Sequence, residues 1–371
     1  MKTSDFDYHL PPDRIAQHPA SRRDASRLLA LDRVRGEVSH HAFADLPMLL
    51  RPGDLLVVND TRVIPARLFG TVRREGAGGG AGPGAAVAVE REVEVLLLRE
   101  EPAVLPERIW TALARPARAL QVGTIVRFTD PAFEGTVIGL GERGVRHIAF
   151  RPVPAEGGPS FEVWLSRVGH VPLPPYIDRQ DEPEDRERYQ TIFARESGSV
   201  AAPTAGLHFT EEVLEALRER GVAMASVTLH VGPGTFRPVA TEDPRDHVLD
   251  PEPFRVPPES AAAVRSARER KGRVLAVGTT AVRTLESWIR AGSPDDGAWR
   301  ETGLFIVPPF EFQVVEGMIT NFHLPRSSLL FLVAALAGPD DLGRRRVLAA
   351  YEEAVREGYR FYSYGDAMLI A

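Results

Sequence analysis

The stretch Val274-Leu-Ala-Val-Gly-Thr-Thr-Ala-Val-Arg283 decides the fold. Four apolar residues between a charged approach and a glycine read as a strand buried on both faces. Gly278-Thr279-Thr280 then turns the chain into a helix with Val282, Leu285 and Ile289 on one face and Trp288 beside them. A strand feeding directly into a helix is the repeating unit of an α/β sheet. The pattern recurs upstream, where Thr210 caps a helix with Glu211 and Glu212 in its first turn and Val213, Leu214 and Leu217 along one face. Gly221 ends that helix, and residues 222–231 read as the next strand. Residues 327–337 form a near-wholly apolar helix, and residues 359–370 read as a closing strand broken at Gly365. This alternation predicts a mainly parallel sheet covered on both faces.

Upstream again, residues 55–58 form a buried strand after the Pro52-Gly53-Asp54 turn and lead into Asn59-Asp60-Thr61-Arg62. Beyond that point the texture changes. Short β-rich runs at 92–98, 109–114, 124–128, 135–140 and 145–150 are separated by Gly and Pro, with no strong amphipathic helix among them. The expected architecture is a discontinuous α/β sandwich domain, residues 1–68 with 162–371, carrying an inserted all-β, barrel-like domain at 69–161. The run Gly78-Gly-Gly80-Ala-Gly82-Pro-Gly84 follows charged residues rather than a strand and opens no helix, so it reads as a hairpin loop, not a dinucleotide fingerprint. The charged residues 178–188 read as a solvated loop or helix start.

At 371 residues and 43% hydrophobic composition the chain can bury two cores. Its longest apolar run, residues 329–337, falls short of the ~20 residues of a membrane span. Asp5, Asp7 and Asp13, with no apolar segment among them, predict no secretory signal. The absence of cysteine removes thiolate ligands, thiol nucleophiles and disulfides, and points to a cytoplasmic protein. A net charge of −6 gives no global attraction to nucleic acid, yet Lys2 and Lys271 are the only lysines among 45 basic residues. Arginine suits phosphate forks and base stacking, and arginines crowd residues 14–35 and 344–346. Each cluster taken alone reads as a solvated face.

Small polar clusters follow directly on the ends of apolar, strand-like runs: Thr204-Ala-Gly-Leu-His208, Leu229-His230-Val-Gly-Pro-Gly234, Gly278-Thr279-Thr280-Ala-Val-Arg283, Thr320-Asn321-Phe-His323 and Ser363-Tyr-Gly-Asp366. In open α/β sheets ligands bind at the carboxyl ends of the strands, so these clusters read as one shared site. Gly278-Thr279-Thr280 with Arg283 could take a carboxylate or phosphate at a helix start, although it lacks the Lys and spacing of a phosphate loop. His208, His230 and His323 are acid/base candidates and lack the spacing of a helical metal pair. Asp60 and Asp366 could accept paired N–H donors from a guanine-like edge, or could simply cap adjacent turns.

Several longer motifs carry a specific resemblance. Leu50-Arg-Pro-Gly-Asp-Leu-Leu-Val-Val-Asn-Asp-Thr-Arg-Val-Ile-Pro-Ala-Arg67, Gly169-His-Val-Pro-Leu-Pro-Pro-Tyr-Ile177, Ala202-Pro-Thr-Ala-Gly-Leu-His-Phe209, Thr228-Leu-His-Val-Gly-Pro-Gly-Thr-Phe236, Val277-Gly-Thr-Thr-Ala-Val-Arg283, Thr320-Asn-Phe-His-Leu-Pro325 and Tyr359-Arg-Phe-Tyr-Ser-Tyr-Gly-Asp-Ala-Met368 occur in order over nearly the whole chain. Together they resemble the S-adenosylmethionine:tRNA ribosyltransferase-isomerase family of queuosine biosynthesis. Two features depart from the family pattern. Asp250 stands where a second His usually follows Asp246-His247, and the 76–84 loop is longer.

The resemblance implies transfer and isomerisation of the ribosyl group of S-adenosylmethionine onto the 7-aminomethyl group of a 7-deazaguanine (preQ1) in the anticodon loop of tRNA, with loss of adenine and methionine. S-adenosylmethionine would be a substrate, with no metal or other cofactor, and the chain a cytoplasmic monomer without membrane attachment. In that reading His208 or His323 acts as acid or base, and Asp60 or Asp366 reads the deazaguanine, with Asp60 also counted among the catalytic candidates. Thr279, Thr280 and Arg283 hold the methionine carboxylate, and Arg62, Thr204, His230 and Asn321 bind substrate. Two rivals are a metal-dependent hydrolase using the three histidines and a non-catalytic RNA-binding module using the arginines. An ordinary methyltransferase is disfavoured, since no strand–Gly-rich–helix unit is followed by an acidic residue at the next strand end.

Overall fold

The computed structural model describes residues 1–74, 89–103, 107–153, 157–232, 234 and 239–371. It divides into two compact units, Met1–Arg62 with Leu173–Ala371, and Val63–Pro172. The glycine-rich loop expected at 76–84 lies outside the described residues.

The strands in chain order are β1 (Arg27–Leu31), β2 (Val38–Ala42), β3 (Leu55–Asn59), β4 (Thr61–Val63), β5 (Arg67–Arg74), β6 (Val89–Glu101), β7 (Arg108–Arg115), β8 (Ile125–Phe128), β9 (Phe133–Leu140), β10 (Val145–Pro152), β11 (Glu196–Ser199), β12 (Ala223–Leu229), β13 (Glu252–Arg255), β14 (Val274–Val277), β15 (Arg300–Thr302), β16 (Gly317–Asn321) and β17 (Ala367–Ile370). The helices are α1 (Leu46–Leu49), α2 (Phe161–Val168), α3 (Asp185–Arg188), α4 (Glu211–Glu219), α5 (Pro258–Glu269), α6 (Thr279–Arg290), α7 (Ser328–Ala337) and α8 (Asp340–Arg356).

In the first unit nine strands form one sheet, ordered β15-β13-β12-β3-β14-β16-β17-β1-β2. Alternate residues of each strand face opposite layers, as the two-residue repeat of a strand requires. Leu29, Leu55, Val57, Ala276 and Met318 meet α5, α6, α7 and α8 on one side. Leu28, Leu56, Val58, Leu275 and Ile319 meet α1 and α4 on the other. The fold is therefore an α/β sandwich, and every residue of β3, β14 and β16 is buried. The sheet is not mainly parallel as expected. Its centre, β12-β3-β14-β16, is parallel, but β16–β17, β1–β2, β12–β13 and β13–β15 pair antiparallel. Apolar periodicity reports which face a residue occupies and carries no information on strand direction.

The second unit holds a closed antiparallel barrel, β10-β7-β6-β5-β8-β9, and closure removes exposed edges. Helix α2 belongs with this unit. Trp164 packs against Phe128 and Phe133 at centroid distances of 5.3 and 5.1 Å, and Phe161 lies 5.2 Å from Phe150. These aromatic contacts join α2 to the barrel core, and the compact unit runs from Val63 to Pro172, where 69–161 was expected.

Candidate active site

The parallel centre of the sheet brings the carboxyl ends of β12, β3, β14 and β16 to one edge. Those ends lead into His230, Asp60-Thr61, Gly278-Thr279-Thr280 and Phe322-His323. Gly278 adopts φ +88° at the strand-to-helix turn, a conformation that disfavours a side chain. Because β17 runs against β16, and β1 runs with β17, the segments preceding these two strands reach the same edge. Ser363–Asp366 thus arrives ahead of a strand, not after one, and Arg23–Ser26 joins it without having been anticipated as part of the site.

A cavity of 780 Å³ opens in this unit, lined in part by Thr204, Asn321, His323, Tyr176, Ser363 and Arg326. Its size falls within the range of small-molecule sites. Val239, Leu324 and Leu329 supply apolar wall, and the Tyr176 and Tyr362 rings meet at a tilt of 38° with centroids 4.2 Å apart. The Tyr176 hydroxyl shares a 2.6 Å hydrogen bond with that of Ser363. Tyr362 sits at φ +72°, the left-handed region that non-glycine residues rarely adopt and that concentrates at functional sites. The residues before α7 also line this cavity, with Ser327 capping the helix by accepting from the Leu330 amide.

His323 is the one histidine of the three candidates on the cavity wall. Its ring pairs with the Thr320 hydroxyl through Nε2 at 2.8 Å, and its backbone is held by the Tyr351 and Tyr8 hydroxyls. Burial lowers it to about 3. His208 lies behind the wall. Its Nδ1 meets Ser26 Oγ at 2.7 Å, its Nε2 meets Asn321 Nδ2 at 3.1 Å, and its ring stacks on Phe43. Burial lowers it to about 3, with Arg360 and Arg23 pushing the same way. Thr204 donates to Asn321 Oδ1 at 2.8 Å, so these two cavity residues and His208 form one network.

The other candidates do not line this cavity. Asp60 is buried and accepts from the Thr228 hydroxyl at 2.7 Å. Burial raises its pKa, against the opposing Thr228 and Ser226 hydroxyls. Asp366 is engaged through both oxygens by backbone amides of Arg27 and Arg360, at 2.9 and 2.8 Å. His230 pairs with the Thr61 hydroxyl at 2.7 Å and stacks on Trp299. The ring lies against Gly198, where an added Cβ would stand 2.8 Å from Nε2. Burial brings His230 to about 4, with Glu196 opposing and Arg255 reinforcing. Arg62 is exposed and reaches the Ala194 carbonyl.

Thr279 and Thr280 are buried at the start of α6, and Thr280 accepts from Asn59 Nδ2 at 3.1 Å. Arg283 forms a buried ion pair with Glu252 and donates to the carbonyls of Leu304 and Thr302. The guanidinium is thus engaged within the protein, away from the cavity. Local spacing placed Arg283 one turn into the helix, but its partner lies on another strand.

Sequence reasoning missed several connecting residues. Asn59 donates to the Leu229 carbonyl and Thr280, and accepts from the amides of Thr61 and Leu229, joining three strand ends. A buried amide directly after an apolar strand is the signal that could have found it. Asp185, expected in a solvated segment, is buried; it accepts from Arg179 and from the Tyr364 hydroxyl at 2.7 Å. Among the described residues no group of three or more His, Asp or Glu is placed to hold a metal ion. No helix among them is long and apolar enough to cross a membrane.

An α/β sandwich with a ligand-sized cavity at its strand ends, joined in one chain to a closed barrel, defines a two-unit enzyme with a strand-edge site. Residues 3–370 match the family model described as "Queuosine biosynthesis protein". The chain is similar to the S-adenosylmethionine:tRNA ribosyltransferase-isomerases of Moorella thermoacetica, at 48% identity over 100% of both chains, and of an Anaeromyxobacter strain, at 49% over 100% of this chain and 99% of that one. A crystal structure of S-adenosylmethionine tRNA ribosyltransferase from Thermotoga maritima matches with TM-score 0.51 and 37% identity, over 99% of this chain and 100% of that one. The chain belongs to the S-adenosylmethionine:tRNA ribosyltransferase-isomerase family of queuosine biosynthesis.

Proposed function

We infer that this enzyme transfers the ribosyl moiety of S-adenosylmethionine to the 7-aminomethyl group of preQ1 in tRNA and isomerises it, giving epoxyqueuosine-tRNA with release of adenine and methionine. The observation that carries the reading is the strand-edge cavity formed by Thr204, Asn321, His323 and Ser363, all within family motifs. The sulfonium acidifies the adjacent ribose C5′–H, so a neutral base can remove that proton to leave an ylide. Loss of adenine, addition of the tRNA amine, ring closure and expulsion of methionine then complete the exchange. His323 is our choice for the base. It borders the cavity, burial keeps it neutral, and its Nδ1 has no hydrogen-bond partner among the described residues once Thr320 orients Nε2.

The methionine carboxylate then belongs at Arg326 and the first turn of α7, which border the cavity. Asp60, His230, Thr279, Thr280, Arg283 and Asp366 take supporting roles, holding the strand ends that shape the pocket. The target base, in the anticodon loop, is unstacked into the pocket. Arg62, exposed at the same edge, is available to the RNA. S-adenosylmethionine acts as substrate and no other cofactor is required. The enzyme works in the cytoplasm as a monomer, which light scattering tests directly.

Incubation with S-adenosylmethionine and preQ1-tRNA is expected to release adenine and methionine and add mass to the tRNA. Methylated tRNA with S-adenosylhomocysteine as the product would overturn the assignment.

A further inference from the structure

The hydrogen bonds around His208 have a direction that follows from their ends. The Arg23 carbonyl can only accept, so Ser26, 3.2 Å away, donates to it. Ser26 Oγ is then free to accept from His208 Nδ1–H at 2.7 Å. A neutral ring protonated at Nδ1 accepts at Nε2, where the Asn321 amide donates at 3.1 Å. With its nitrogen so placed, Asn321 turns Oδ1 to the Thr204 hydroxyl, which donates at 2.8 Å. The Thr204 oxygen is left with lone pairs at the cavity wall.

The opposite polarity is disfavoured at two points. A Ser26 proton turned toward His208 would abandon the Arg23 carbonyl. A flipped Asn321 would set Oδ1 against the Asp366 carbonyl, which now faces Nδ2 at 3.5 Å. The groups around the ring also favour its neutral form. Phe43 stacks on it, and Arg23 and Arg360 oppose a positive charge.

We propose that His208 is a positioning residue, held as the neutral Nδ1–H tautomer, which orients Asn321 and makes Thr204 a hydrogen-bond acceptor for an N–H or O–H donor of a substrate in the cavity. The inference rests on the ribosyltransferase reading. The donor comes either from the hydroxyl or ammonium groups of S-adenosylmethionine or from the incoming amine of the tRNA.

Calorimetric binding of S-adenosylmethionine to the full chain, without tRNA, needs no turnover and separates this inference from the reading beneath it. Failure of the wild-type enzyme to release adenine would defeat the reading alone. Thr204→Val keeps the shape of the side chain and loses the acceptor. It is expected to weaken S-adenosylmethionine binding on the order of tenfold, or to raise the KM for tRNA by that factor if the tRNA supplies the donor. His208→Ala is expected to do the same. His208→Gln, whose amide can accept from Asn321 at the Nε2 position, is expected to restore the parameter to within about threefold of wild type.

Nitrogen-15 spectra at pH 7 are expected to contain a neutral, Nδ1-protonated imidazole that disappears in His208→Gln. Unchanged affinity and unchanged tRNA KM in folded Thr204→Val would overturn the proposal, and this variant decides even if His208→Ala does not fold. A His208→Gln enzyme that binds normally but loses kcat by more than about a hundredfold would also overturn it, because His208 would then carry a proton.

Discussion

Replacing Arg283 with alanine separates the role suggested by its place in the sequence from the role given by its surroundings. The guanidinium and the Glu252 carboxylate are both buried and paired, and Glu252 also accepts from the Gly232 amide at 2.8 Å. Arg283→Ala removes the guanidinium paired with that carboxylate and its donors to the Leu304 and Thr302 carbonyls. Removing one partner of a buried pair costs about 3–5 kcal/mol, mainly through the uncompensated charge left behind. At ~2–4 °C per kcal/mol for a domain of ~150–250 residues, Tm should fall on the order of 10 °C. The KM for S-adenosylmethionine should stay within about twofold in the folded enzyme, since uniform substrate binding is not removed. Glu252→Gln keeps an acceptor for only one of the two donors, turns an NH2 group toward the other and leaves the guanidinium without its counter-charge, so it should lower Tm as well. Thermal denaturation and initial rates well below Tm measure both quantities. A variant with unchanged Tm and a KM raised ten- to a hundredfold, the effect on the order of a lost charge-assisted contact, would refute this account and return Arg283 to the carboxylate.

His323→Ala is expected to lower kcat by ~10²–10⁴-fold with a folded chain, and an unaltered kcat would exclude it as the base. Burial brings His208 and His323 to about 3 and His230 to about 4, below the ordinary 6.5 of an unfolded histidine. As pH falls below 6.5 the unfolded chain takes up protons that the native rings refuse. Stability, intact above 6.5, should therefore decline by up to ~1.4 kcal/mol per pH unit for each histidine. Equal Tm at pH 7.5 and pH 5.0 would contradict that. Shortening the glycine-rich stretch at 76–84 should leave turnover nearly intact, since the candidate residues belong to the other unit. A large loss in a folded deletion variant would relocate the site.

Local pattern was enough for some of the elements, although β1, β2, β13, β15, α5 and α8 were not read from it. Four consecutive apolar residues give β14 (Val274–Val277) its bounds, and Thr210 caps α4 by accepting from the Val213 amide at 3.4 Å. Five of the six barrel strands, β6 to β10, were legible because an apolar residue at every second position needs only a pleated backbone to make a buried face, whereas β5 was not read. The ordered motifs likewise marked the family and the polar strand-end clusters. What remained hidden was pairing between distant segments. Ser26, His208 and Asn321 come from three regions of the chain, and only their meeting makes His208 a buried link while His323 faces the cavity. Arg283 and Glu252 are 31 positions apart, and neither residue's neighbours announce the other. Strand direction was equally silent: Ser363–Asp366 looks like the end of a strand, and the antiparallel β17 makes it a beginning. Burial faces follow from a repeat of two or 3.6 residues, but a polar group's partner is set by whichever donor or acceptor the completed sheet leaves within about 3 Å.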